Sequence, residues 1–491
     1  MRTLACIIYI ISAASLLASC LSEEGFSAAP SIKLHSSIDT LSLDTVIAGE
    51  PTNTYTFQIY NRSTENARIT RVFLDKGEHS PFRVNVNGTF LRPNSPNNTW
   101  ELYGNDSLRV FVELTAPESQ QSSPQSIEDK LSFQLENGNV HRVVLKAVGQ
   151  KVTRFATTTL SNDTILNANI PYIIKDSLVV PEGKTLTLTA GTRLYFHPSA
   201  QLIVYGRLVI QGTAERNVLL RGDRMGYMFS QQPYDRIPNQ WGGVVVKPQS
   251  YNNTIDFCDI HSADFGIRCD SSDVNTLKLK LTNSILHNFS NDALHLNQCN
   301  TEIGNTQITN AGGNCVTIIG GHHTFTHCTI GQFYSFIGSK GIALSMSNVY
   351  NQQFTPISQA FFRNCLITGY NEDDIKIVTS ARYAQENINF QFHHCVLNTP
   401  FTTDKERVIN CIFESELPSM ERREKHFSPA FDFQRLQYNF TLRPNSTINN
   451  KADVALSKQT YPLDRQGHNR IINDTAAPGC YTIVATNKKG E

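Results

Sequence analysis

The sequence predicts an all-β protein: an immunoglobulin-like β-sandwich over 31–150, then a right-handed parallel β-helix over 151–485 that ends in a C-terminal cap. Three observations predict it. Short segments of the first third alternate apolar and polar residues, a six-residue pattern recurs through the last two thirds, and several cysteines keep step with that pattern.

The chain opens on Met1-Arg2, an apolar stretch over 4–17 and then Leu17-Ala18-Ser19-Cys20. A positive residue, a short apolar core and small residues before a cleavage point make a secretory signal, too short to span a bilayer. Leu-Ala-Ser-Cys is similar to the lipobox of bacterial lipoproteins, and Leu21-Ser22-Glu23-Glu24 resembles the surface-export signal of Bacteroidetes lipoproteins. The resemblance implies a signal peptide over 1–19, lipid on Cys20 as the membrane contact, a lipidated linker over 20–30, and an outer-membrane place facing the cell exterior.

With 43 basic and 43 acidic residues, the chain has no global charge with which to attract nucleic acid, so partners must be recognised locally. Its 491 residues suit two or three domains, and 40% hydrophobic content with 27 Phe and 17 Tyr suffices for packed cores.

In the sandwich region Tyr55, Phe57 and Ile59 share one face, as do Leu108, Val110, Val112 and Leu114, and then Leu131, Phe133 and Leu135. About seven such strands fit an immunoglobulin-like sandwich. Asn137-Gly138 predicts a hairpin in which both residues take positive φ. The run Tyr55 to Asn61, with Phe82-Arg83-Val84 and the strand ending at Gly149, resembles the abnormal-spindle and hydin type of domain, which implies a spacer or protein-binding module.

The repeat reads apolar, any, polar or aromatic, small, any, apolar. It matches at Ile255–Ile260, Leu281–Leu286, Ile303–Ile308, Phe325–Ile330, Phe362–Ile367, Phe392–Leu397 and Val408–Phe413. A second series, Ile267, Leu294, Val316 and Ile375, follows at a near-constant offset. Strand motifs in step with variable loops between them are what stacked coils give, and about nine to eleven coils fill the region. Cys258, Cys328, Cys365, Cys395 and Cys411 share one column with Ser284 and Thr306, which points to reduced, stacked core thiols, with disulfides among neighbours as the alternative.

The segments Pro181 to Leu188, Leu220 to Arg224, Tyr234 to Gly243 and Asp464 to Arg470 resemble the right-handed β-helix lipoproteins of Bacteroidetes. At the end such proteins close on an Asp-Ile-Gly-Ala-Tyr-Glu-like strand, where this chain has Pro478-Gly479-Cys480-Tyr481-Thr482-Ile483. The resemblance implies an architecture more than a reaction.

For chemistry, Asn371-Glu372-Asp373-Asp374 faintly resembles the acidic turn of polygalacturonases, with Asp292 at an equivalent place, so Asp373 and Asp374 are the candidate catalytic acids. Strand-entry turns also favour Asn, Asp and Gly, and they explain the same residues. A loop over 221–241 breaks the coil spacing, and its Tyr234, Asp235, Arg236 and Trp241 either stack a ligand or pack inward. His322 and His323 read as turn residues, and Arg221-Gly222-Asp223 as a turn. No phosphate-binding loop, zinc signature or serine-hydrolase elbow is present, so neither cofactor nor metal is expected. The expected role is non-catalytic binding of a polysaccharide or a surface protein. A polysaccharide hydrolase or lyase and a structural or adhesive component are the alternatives.

Overall fold

The structure is a computed structural model that describes residues 25–92, 99–156, 158–229, 232–379, 388–427, 431, 432, 436 and 438–483. Cys20 and the signal peptide lie outside the described residues. The chain divides into two compact units, Met1–Lys151 and Val152–Glu491. No helix among the described residues is long and apolar enough to cross a membrane.

The first unit is a sandwich of two five-stranded sheets. One holds Leu34–Ser36, Tyr55–Asn61, Ser107–Leu114, Phe82–Val86 and Thr89–Phe90 in that order, and the other Thr40–Ile47, Val140–Gln150, Gln125–Leu135, Ala67–Leu74 and Trp100–Leu102. Phe57, Ile59, Val110, Val112, Leu131 and Phe133 are buried between them, as the alternation predicts. The ten strands exceed the expected seven because pieces such as Leu34–Ser36, Thr89–Phe90 and Trp100–Leu102 are too short to show a period. The Asn137-Gly138 hairpin forms, but only Gly138 takes positive φ, at 84°. Asn137 instead folds its side chain over the turn, accepting from the Asn139 amide at 2.9 Å and donating to the Ala29 and Ile32 carbonyls. A four-residue loop needs only one left-handed residue.

The second unit is a parallel β-helix built of three long sheets of 11, 9 and 10 strands. A full coil contributes a strand to each sheet, for example Cys258–His261, Ile267–Cys269 and Leu277–Thr282. In the nine-stranded sheet Leu178, Leu202, Val244, Ile267, Leu294, Val316, Leu344 and Ile375 are successive register partners, so the second predicted series is one continuous inward ladder. Burying each such side chain is worth about 1.5–3 kcal/mol, and the stack repeats that gain in every coil.

The third position of the repeat has a backbone explanation. Phe257, Asn283, Asn305, His327, Asn364, His394 and Asn410 all have φ between 48° and 53°. Each turns the chain from the ten-stranded sheet into the eleven-stranded one. Asn is among the few L-residues that enter this region at low cost, and it fills most of the column. The small residue that follows points inward. All nine cysteines among the described residues are free, and within their column the Cys365 amide donates to Cys395 Sγ and the Cys395 amide to Cys411 Sγ, each at 3.4 Å.

After the last strand, Ile412–Phe413, the described chain runs back along the outer face of the eleven-stranded sheet as a lateral strap that includes an α-helix at Val454–Thr460. Asp453 receives the Asn364 side chain, Ser457 meets His327 Nε2 at 2.8 Å, Arg470 reaches Asn305, and Arg465 reaches Asn217 at 2.7 Å. Phe427, Phe431, Phe440, Leu442 and Ile448 of the strap close a separate core over Phe333, Leu366 and Val396 of the helix. The residues Cys480 to Thr482 form no strand. They dock by side chain, the Tyr481 hydroxyl donating to Gln307 Oε1 at 2.7 Å.

Candidate functional site

Along the eleven-stranded sheet the residues between the inward ones face out under the strap. In Cys258–His261 these are Asp259 and His261, in Ile285–Phe289 they are Ile285 and His287, and in Gln307–Ala311 they are Gln307 and Thr309. Parallel pairing stacks His261 on His287 and His287 on Thr309, while Asp259 stands over Ile285. Side chains that are 26 residues apart in sequence thus become neighbours.

Asp259 is the hub of this ladder. Its Oδ1 meets His261 Nδ1 at 2.9 Å and His287 Nε2 at 3.3 Å, and the two imidazoles stack with centroids 4.6 Å apart. Burial alone would raise the Asp259 carboxyl, but the adjoining imidazoles hold it well below the usual carboxylate range. Burial lowers the proton affinity of His261 against the pull of Asp259. His261 Nε2 is buried with no hydrogen-bond partner.

Asp259 and His287 form part of the floor of a cavity of about 570 Å³ between helix and strap. The helix side adds Arg236, Ile285, Gln307, Thr309 and Asn310, and the strap adds Asp432, Tyr438, Asn439, Phe440, Gln466 and Tyr481. Tyr438 is held by Ser335, hydroxyl to hydroxyl at 2.7 Å.

Of the loop residues singled out in the sequence, Arg236 reaches the cavity, where its Nη1 also donates to the Leu436 carbonyl at 3.4 Å. Asp235 stands behind it, pairing with Arg221 at 3.4 Å and with Arg236 at 3.9 Å. Tyr234 sits beside the Arg224 guanidinium and does not line the cavity. Trp241 is no ligand contact: it is 1% exposed, stacks on Phe196 at 4.2 Å, and donates its indole N–H to the His261 carbonyl at 2.8 Å. The loop therefore sends its one tryptophan into the core.

The acidic pair is also corrected. Asp374 is fully buried, accepting from Asn371 at 2.7 Å and from Asn398 at 2.8 Å, and burial raises its carboxyl to about 6. Asp373 is exposed and caps the Ile375 amide at 3.0 Å. One side chain points in and the other out, so they cannot flank a common bond. Both belong to a ladder of turn residues that ties coil to coil. In it Asp264 accepts from Asn291, Asp292 from the Asn314 amide, and Asn314 from the Ile342 amide. His323 is buried between Thr301 and the Gly320 carbonyl, and the Arg221 guanidinium folds onto the Gly222 and Arg224 carbonyls rather than outward.

No protein-family model matches the chain. No curated protein matches it either. Among solved structures it is similar over part of its length to the Vibrio cholerae VesB protease, with TM-score 0.17 and 14% identity over 25% of this chain and 32% of that one. A family 123 glycoside hydrolase from Clostridium perfringens gives TM-score 0.17 and 4% identity over 24% of this chain and 25% of that one. A lipoprotein from Bacteroides thetaiotaomicron gives TM-score 0.14 and 18% identity over 26% of this chain and 85% of that one. The chain spans about a third or less of the first two. At such TM-scores these likenesses carry no argument about fold or role.

Asp259, His261 and His287 are not among the residues that the inward pattern singles out. The signal for them was present: Asp259-Ile260-His261 and Ile285-Leu286-His287 occupy the same ranks of successive repeats, and reading the outward ranks as well as the inward ones aligns the two histidines.

Proposed function

We propose that this chain is an outer-membrane lipoprotein of the Bacteroidetes type, held by lipid on Cys20 and facing the exterior, whose β-helix binds glycan without cutting it. The placement rests on Leu17-Ala18-Ser19-Cys20 and the glutamates that follow. The role rests on one observation. The cavity sets the polar side chains of Gln307, Thr309, Asn310 and the exposed Asn439 beside the half-buried ring of Tyr438. A sugar needs both, polar groups for its hydroxyls and a ring face for its C–H surface. Glycosidic hydrolysis would instead need a carboxylic acid of raised pKa facing a second carboxylate. Asp259 is shifted the other way and Asp374 is sealed in the core.

The test uses the mature chain carrying Cys20→Ser, run through gels cast with plant, host and bacterial polysaccharides while reducing ends and unsaturated-uronate absorbance are followed. Retardation by one polysaccharide, lost in Tyr438→Ala and without product release, is the expected result. Product release that stops in Asp259→Asn would make the protein an enzyme instead. Neither retardation nor product would shift the role to a protein partner.

A further inference from the structure

We propose that Asp259, His261 and His287 bind a divalent first-row transition-metal ion, of the zinc or iron(II) kind, at the floor of the cavity. The proposal stands on the convergence of donors and does not need the glycan reading. One donor atom from each residue lies within 4.8 Å of the other two, and the measured edges from Asp259 Oδ1 are 2.9 Å and 3.3 Å. Ligands about 2.0–2.2 Å from such an ion, at tetrahedral or octahedral angles, stand roughly 3.0–3.5 Å apart. Two imidazoles and a carboxylate are the donor set that borderline first-row ions take, and three protein ligands leave the remaining positions open. Asp259 and His287 line the cavity, so those positions face the space where a ligand would enter.

His261 is 6% exposed and turns Nδ1 to the carboxylate, so Nδ1 is its converging donor and Nε2, which meets no hydrogen-bond partner, is left to carry the ring proton. The surroundings tolerate a cation. Arg221 and Arg236 are close, but both pair with Asp235, and Asp432 lines the same cavity, so three carboxylates including Asp259 stand against two guanidiniums.

Among the described residues one other cluster has suitable donors, His393, His394 and Asp453, and it supplies the control. The mature chain with Cys20→Ser is stripped with chelator and titrated by calorimetry with zinc chloride, then with iron(II) under argon. Cobalt(II) is added for its visible spectrum. We expect one equivalent to bind, with the affinity reduced about 100-fold or more in both Asp259→Asn and His287→Ala and unchanged in His394→Ala. Asp259→Asn is nearly isosteric, and a native melting curve shows that it folds. Absence of stoichiometric binding to the parent chain overturns the proposal. So does unchanged binding in Asp259→Asn, or binding lost only in His394→Ala. Glycan retardation repeated in chelator is a separate readout, so failure of the metal site and failure of the glycan reading are distinguishable.

Discussion

The roof of the cavity stays in place through a few side chains, and Asn364 is the most exposed to test. Its Nδ2 donates to the Asp453 carbonyl at 3.0 Å and lies 3.0 Å from His327 Nε2, while its Oδ1 accepts from the Asp453 amide at 2.7 Å. It is fully buried and adopts φ of 53°. In Asn364→Ala the Asp453 amide loses its acceptor, at about 1–3 kcal/mol for a stranded buried donor. Alanine in the left-handed region adds about 1–2 kcal/mol. The carbonyl and His327 keep Ser457 as partner, so little more is lost. The hydrogen-bond part, about 1–3 kcal/mol, falls on the docking of the strap helix, while the left-handed strain sits in the coil's own turn, and 1.4 kcal/mol is tenfold in an equilibrium constant. Hydrogen exchange of the Leu456 and Ser457 amides should therefore accelerate by about fivefold or more, while the amides of Leu294–Asn297 stay as they were. Asn364→Gly, without the conformational penalty, should match Ala at Leu456 and Ser457 and melt closer to the parent. Unchanged exchange at Leu456 and Ser457 in Asn364→Ala would refute the assignment of strap docking to this residue.

Three further outcomes follow from the same geometry. Burial lowers the His323 imidazole to about 4, below its unfolded value, so its contribution is present above about pH 6.5 and is lost as pH falls through 4. The loss approaches about 3 kcal/mol, and urea unfolding from pH 7 to 4 should show a shallower decline in His323→Gln. The cysteine column is sealed, and burial raises its thiols, so iodoacetamide should leave Cys258, Cys365 and Cys395 unmodified in native protein and label all three in guanidinium, as read by peptide mass spectrometry. An alkyne fatty acid fed to expressing cells should label the parent chain and not Cys20→Ser, and equal labelling would remove the lipid from the proposal.

Much of the second unit was legible because a parallel stack repeats one short-range condition. Each coil must bury a few residues at fixed ranks and must turn through a left-handed position, so Asn283, Asn305, Asn364 and Asn410 and the small residues after them recur whatever the loops between them do. The turn reading of Asp292 and Asp373 had the same origin, since their hydrogen bonds run to the next coil or within the turn. The sandwich was legible to the extent that its strands were long enough to alternate.

What the sequence by itself determined, then, was the inward face and the turns: residues whose environment is set by their own coil and its neighbours. The outward face carries no apolar requirement, so the pattern aligns His261 with His287 without showing that anything covers them. Only the tertiary structure decided their role, by bringing the strap back over them. Its anchors join residues as far apart as Asn217 and Arg465, 248 positions in sequence, and Gln307 and Tyr481, 174 positions. Contacts at that separation leave no period in the chain. Trp241 shows the converse, since an aromatic residue in a charged loop reads equally as a ligand contact or as inward packing until the fold places Phe196 beneath it.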